Sequence, residues 1–147
     1  MDIEVGNAGA VDTNGTGWFI GFSDWTKLAN HDSPNLRYMP KNSLAHTLHM
    51  KWMDHPADDD RGTHKPPSEG RTISILVSQR GAFRIEFSPS SSFDDKETVG
   101  VELSKHGDFV IWGENIHHRW FTDEQCTILT LRWIPIEPNE VSIFTPA

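Results

Sequence analysis

The sequence predicts an all-β domain, a sandwich or a barrel, and two observations lead there. No stretch keeps apolar residues at a helical spacing, whereas short runs of alternating polarity recur, each bounded by Gly, Pro, Asn or Ser. At 147 residues the chain has the length of one domain and can bury a core without disulfides.

Residues 1–17 are small and polar, rich in Gly, Asn and Thr, and are expected to form a flexible leader with little structure. The domain proper is expected over residues 18–147. It opens on the apolar run Trp18, Phe19, Ile20, Gly21 and Phe22, read as a first strand, and residues 24–40, broken by Asn30, Pro34 and Pro40, read as a loop. From Leu44 to His55 polar and apolar residues alternate as in a strand. Leu44, His46, Leu48, Met50, Trp52 and Asp54 share one face, and Ala45, Thr47, His49, Lys51, Met53 and His55 share the other. Residues 56–67 are a turn whose run Asp58, Asp59 and Asp60 reads as solvated. Residues 71–77 and 82–87 are expected to pair as a hairpin through Ser78, Gln79, Arg80 and Gly81, with Phe83, Ile85 and Phe87 facing inward. After a serine-rich loop, residues 99–103 form a short strand. Residues 107–112 and a strand opening at His117 then flank a corner at Glu114 and Asn115. Residues 127–133 close the domain ahead of an irregular tail carrying Pro135 and Pro138.

Asp and Glu exceed Lys and Arg by 21 to 13, a net charge of -8, and the cations form no run, so a nucleic-acid partner is not expected. No run of about 18 apolar residues offers a membrane span. Met1 leads into acidic and polar residues rather than an export signal, and a cytoplasmic protein is expected. The lone Cys126, in an apolar run, reads as a buried small hydrophobe. Six Trp and eight Phe against one Tyr suit an aromatic core or the wall of a ligand cavity.

Lys51-Trp52 with His55, Gly107-Asp108-Phe109-Val110-Ile111-Trp112, His118-Arg119-Trp120 and Thr130-Leu131-Arg132-Trp133 follow one another in this chain. In that order the chain resembles the small single-domain bacterial cupins, from about Ala45 to about Pro135. The resemblance implies a cupin jelly roll, a double-stranded β-helix barrel. Its first motif is degenerate: Gly81 fits the closing glycine, but Ser74 stands where a Glu is expected and no His-x-His occurs. In the second motif Glu114-Asn115 replaces a corner with Pro and Gly, and Asn115 adopts the left-handed conformation nearly as Gly does. Many cupins hold a divalent metal (Fe, Ni, Mn or Zn) with three histidines and a carboxylate. The resemblance offers His118 and His55 as ligands, with His49, His64 and His117 as replacements and Glu69 as the carboxylate.

Adjacent histidines on a strand point to opposite faces; the resemblance turns His118 inward, and Trp120 shares its face. With Trp112 across the corner and Trp52 on an earlier strand, a pocket walled by indoles around His118 would take a flat or apolar small molecule. For each tryptophan the plainer alternative is core packing, and for His118 a hydrogen bond within the barrel. Arg132, opposed in parity to Leu131 and Trp133, is either an exposed cross-strand partner or a clamp on a ligand carboxylate, and Arg61 and Lys51 invite the same two readings. Cys126 and Ser90 to Ser92 lack the setting of a nucleophile. The expected function is small-molecule binding by a homodimer paired at a sheet edge. The alternative is a divergent metal-dependent oxygenase, isomerase or lyase that uses His55 and His118 on a small organic acid or sugar.

Overall fold

The computed structural model describes residues 1–22, 37–39 and 48–133. Most of the expected loop at residues 24–40, the histidine at 46 and the tail beyond residue 133 lie outside them. The described residues form strands β1 (Ile3–Asn7), β2 (Ile20–Phe22), β3 (Arg37–Met39), β4 (Leu48–His55), β5 (Arg71–Leu76), β6 (Ala82–Ser88), β7 (Val99–Leu103), β8 (Asp108–Trp112), β9 (His117–Glu124) and β10 (Cys126–Trp133). No helix long and apolar enough to cross a membrane occurs among them.

One antiparallel sheet runs β1-β8-β5-β10-β4 and a smaller one β7-β6-β9, while β2 and β3 pair in parallel. From β5 onward the chain passes repeatedly between the two larger sheets, which makes the fold an all-β jelly roll. Alternation along each strand sets the layers. Phe83, Ile85 and Phe87 of β6 meet Leu76, Val110 and Ile128 of the facing sheet in the main core. The larger sheet is also apolar on its outer face. There Ile73, Phe109 and Ile111 are covered by Ala8, Val11, Phe19 and Ile20.

That second layer corrects the expectation of an unstructured leader. β1 pairs along β8 from Ile3↔Trp112 to Asn7↔Asp108, and the Asn7 amide donates to Asp108 Oδ1 at 2.9 Å. Local composition was polar because the segment caps a sheet edge, and its order comes from partners distant in sequence. The expected hairpin is corrected too. β5 is flanked by β8 and β10, so it has no free side for β6, and the 78–81 turn carries the chain from one sheet to the other. Gly81 suits that crossing, with φ of 157° and a Cβ position occupied by Cys126 and Leu76. Cys126 itself is buried, and burial pushes its thiol up to about 11. Asn115 has φ of 59°, the left-handed corner expected of it.

Candidate functional site

Register brings one set of side chains to the interior near one end of the barrel. On β9, His118 and Trp120 lie opposite Phe87 and Ile85 of β6 and share their inward face. On β10, Thr130 and Arg132 lie between Lys51 and His49 of β4 on one side and Ser74 and Thr72 of β5 on the other. Trp112 of β8 stands beside Thr72. These strands enclose a cavity of about 40 Å³ whose walls include His55, Ser74, Trp112, His118, Trp120 and Arg132. On this scale a water needs roughly 10–15 Å³, so the cavity takes a small group rather than a whole ligand. A wider depression of about 310 Å³ shares Lys51, His118, Trp120 and Arg132 with it and is also lined by Lys65 and Glu69.

His118 packs its ring at 5.4 Å from Trp112, which in turn lies 5.2 Å from Phe87. Burial, then the charges of Arg132, Lys65, Lys51 and His117, pull the His118 imidazole down to about 4, so it is neutral near pH 7. Its Nδ1 and the Trp112 Nε1 are buried without a hydrogen-bond partner. Buried polar atoms are nearly always paired, so two orphans on neighbouring rings that both belong to cavity-lining residues are unusual.

Beside them His55, 3% exposed, sits edge-on to Trp120 at 4.5 Å and against Phe83 at 5.2 Å. Its Nδ1 lies 2.8 Å from Asp59 Oδ2. The same carboxylate is gripped by Arg61, Nε to Oδ1 at 2.8 Å and Nη2 to Oδ2 at 2.6 Å. Arg61 holds the Asp59 carboxyl far below the usual carboxylate range, and His55 adds to that against the opposing effect of burial. An ionised Asp59 only accepts, so the Nδ1 of His55 carries the proton and its Nε2 keeps a lone pair. Burial lowers the His55 pKa more than Asp59 raises it. The segment is pinned by Thr122, which accepts from the Asp59 amide at 2.9 Å and donates to the Pro56 carbonyl at 2.9 Å.

Of the residues singled out in the sequence, His118, Trp120, Trp112, Arg132, His55 and Lys51 line the cavity. Trp52 does not, and this is a correction: it is 64% exposed, on the outer face of β4 beside Leu48 and Met50. Strand alternation cannot send both Trp52 and His55 inward. Arg61 also lies off the cavity, spent on Asp59. His49 and Glu69 line outer depressions, and alternation turns His117 to the other face of β9. The reading of Asp58 to Asp60 as a solvated turn is corrected at its middle residue, since the Asp59 side chain is 2% exposed. Composition could not separate Asp59 from its exposed neighbours. The one hint was Gly62, a residue without a side chain where the loop must approach a strand.

Among the described residues no three His, Cys, Asp or Glu side chains gather as a metal centre would need. Ser74, on the cavity wall, bonds Thr130 at 2.8 Å.

No family model and no curated protein matches the sequence. Among solved structures the chain is similar to the 2-hydroxyethylphosphonate dioxygenase of Streptomyces albus, with Fe(II) and 2-hydroxyethylphosphonate bound. The identity is 13% over 68% of this chain and 22% of that one, with a TM-score of 0.49. It is also similar to the hydroxypropylphosphonic acid epoxidase of S. wedmorenis, at 10% identity over 58% of this chain and 43% of that one, with a TM-score of 0.45. The chain thus spans less than half the length of either.

Proposed function

We propose that the barrel binds a small molecule at the end where Trp112, His118 and Trp120 meet, with Arg132 and Lys51 at the rim. One observation carries this reading: Trp112 and His118 line one cavity, and the Trp112 Nε1 and His118 Nδ1 are buried with no partner within the protein. A ligand oxygen supplies what the fold leaves out, and the flanking indoles supply apolar contact.

Tryptophan fluorescence tests the proposal. A panel of small carboxylic acids and sugars is expected to contain compounds that quench or shift emission at Trp112 and Trp120, with affinity reduced at least about tenfold in His118→Ala. No response from any compound would reject a preformed pocket.

The alternative, a metal-dependent enzyme, draws on the tie of His55 Nδ1 to Asp59, which leaves Nε2 free in the manner of metal-ligating imidazoles. The donor set does not fit a complete centre. Two histidines face the cavity, Ser74 replaces the carboxylate, and Lys51, Lys65 and Arg132 set a positive field against a dication. As a companion to the fluorescence titration, metal analysis of untagged protein is expected to be well below stoichiometric. Stoichiometric metal lost in His118→Ala would reverse the order of the two readings.

We further propose a homodimer paired through β4. Among the described residues it is an edge strand of the larger sheet, with Leu48, Met50 and Trp52 exposed on its outer face. Light scattering is expected to give twice the chain mass for the natural protein and a monomer for Trp52→Lys. A monomeric natural protein rejects this arrangement.

A further inference from the structure

The walls of the cavity mix apolar and polar side chains, and its mouth is cationic. Lys51 of β4, Arg132 of β10 and Lys65 line the depression above it, and Glu69 is the one carboxylate on that lining among the described residues. This happens in a chain with a net charge of -8. The ion pairs seen among the described residues use other cations, Arg61, Arg71, Arg84 and Arg119. Lys51, Lys65 and Arg132 have no carboxylate partner there. They feel one another: the Lys51 pKa is lowered by burial and then by Lys65 and Arg132. Three cations against the single carboxylate of Glu69 leave an excess of positive charge on the lining, which disfavours the unliganded state and favours an anion among them.

Arg132 is prepared for that role. Its Nε donates to the buried Thr72 hydroxyl at 3.0 Å, which fixes the plane of the guanidinium and leaves both Nη groups for a ligand. Lys65 lies over the Trp120 ring, 5.9 Å from its centroid, so the charge stays at the mouth. Below the rim, Trp112 is 2% exposed and its indole N–H has no acceptor. Indole only donates, so what completes this wall is an acceptor oxygen.

We infer that the mouth is a binding site for a small organic dianion, a short dicarboxylate or a phosphomonoester. Its charged groups lie between Lys51, Lys65 and Arg132, and an oxygen meets the Trp112 indole. The inference rests on the pocket reading above and narrows it to a class of ligand. Three cations and Glu69 leave an excess of two positive charges on the lining, which a dianion cancels and a monoanion does not. The inner cavity of about 40 Å³ accepts an oxygen and its carbon, and the remainder of the ligand occupies the depression of about 310 Å³.

The test is a fluorescence titration of the full chain at low ionic strength with succinate, succinamate and succinamide, which share a skeleton and differ in charge, and with methyl phosphate. Affinity is expected to fall at least tenfold with each charge removed. Binding of the dianions is expected to weaken at least tenfold in Arg132→Gln and in Lys51→Gln, with Lys96→Gln unchanged. The ratio of succinate to methyl phosphate affinity tells a carboxylate site from a phosphate site. Because Arg132→Gln removes a bond to Thr72, its thermal unfolding is measured alongside, and Lys65→Gln provides a variant that disturbs no hydrogen bond. Equal binding of succinate and succinamide overturns the dianion and leaves the pocket standing. If no compound changes the emission or raises Tm, the pocket reading and the dianion fall together.

Discussion

Replacing Arg61 with alanine is expected to lower Tm near pH 8 by clearly more than replacing Arg84, because it takes the guanidinium from a buried carboxylate. The guanidinium is 55% exposed, so its own loss matters little; the cost falls on Asp59, 2% exposed, whose carboxylate keeps only His55 and the backbone amide of residue 61. Arg84→Ala, which breaks a pair at 3.6 Å between two exposed groups, is expected to cost less than about 1 kcal/mol.

The penalty at Arg61 is expected to depend on pH. In the natural protein the folded pKa values of Asp59, His55 and His118 are all depressed. Each therefore contributes stability that is present above its unfolded pKa and lost as pH falls toward the folded one. For His118 that window runs from about 6.5 down to about 4. In Arg61→Ala the positive charge that opposes protonation of His55 is gone, and imidazolium replaces guanidinium as the partner of Asp59. The folded His55 pKa is then higher than in the natural protein, so the variant loses less stability as pH falls. The gap between the two proteins should narrow from about pH 8 to about pH 5.5. Urea unfolding at several pH values measures it, and a gap that stays constant would show that His55 and Asp59 are not coupled.

Gly62→Ala is expected to cost about 3 kcal/mol or more for a different reason. A Cβ there runs into the Trp120 carbonyl and stands 2.6 Å from its indole. The backbone cannot retreat easily, because the Gly62 carbonyl accepts the Trp120 amide at 3.1 Å. Relief comes by displacing Trp120, a wall of the cavity, so weakened ligand response should accompany the loss of stability. Gly100→Ala on β7, with nothing within 4 Å of its Cβ, is the comparison and should stay within about 0.5 kcal/mol. Similar denaturation midpoints for the two variants would refute the close approach of the 56–62 segment to β9.

Strand identity was legible wherever polarity alternates, since one buried face imposes period two. β4, β6, β8, β9 and β10 are found where residues 44–55, 82–87, 107–112, those from 117 and 127–133 predicted strands, give or take their ends. Pairing was not legible. The turn through Gly81 reads as a hairpin because sequence reports the bend and not which side of β5 is already taken. The same limit hid β1, whose polar residues are ordered by β8. At the site, alternation was enough to separate His118 from His117 and should have excluded Trp52, which shares no parity with His55. Asp59 was beyond reach. Its burial depends on Thr122, 63 residues away, and no local pattern carries that information.

The placement of β1 also bears on when the fold can form. Its partner β8 lies about a hundred residues downstream, and β4 meets β10 only at the far end of the described chain. β8 lies between β1 and β5, and β10 between β5 and β4, so local pairing completes no side of the larger sheet. During synthesis β1 waits without a strand to join, and Phe109, against which Gly6 lies, does not yet exist. Closure of long loops, rather than any single turn, is the slow step for such a topology.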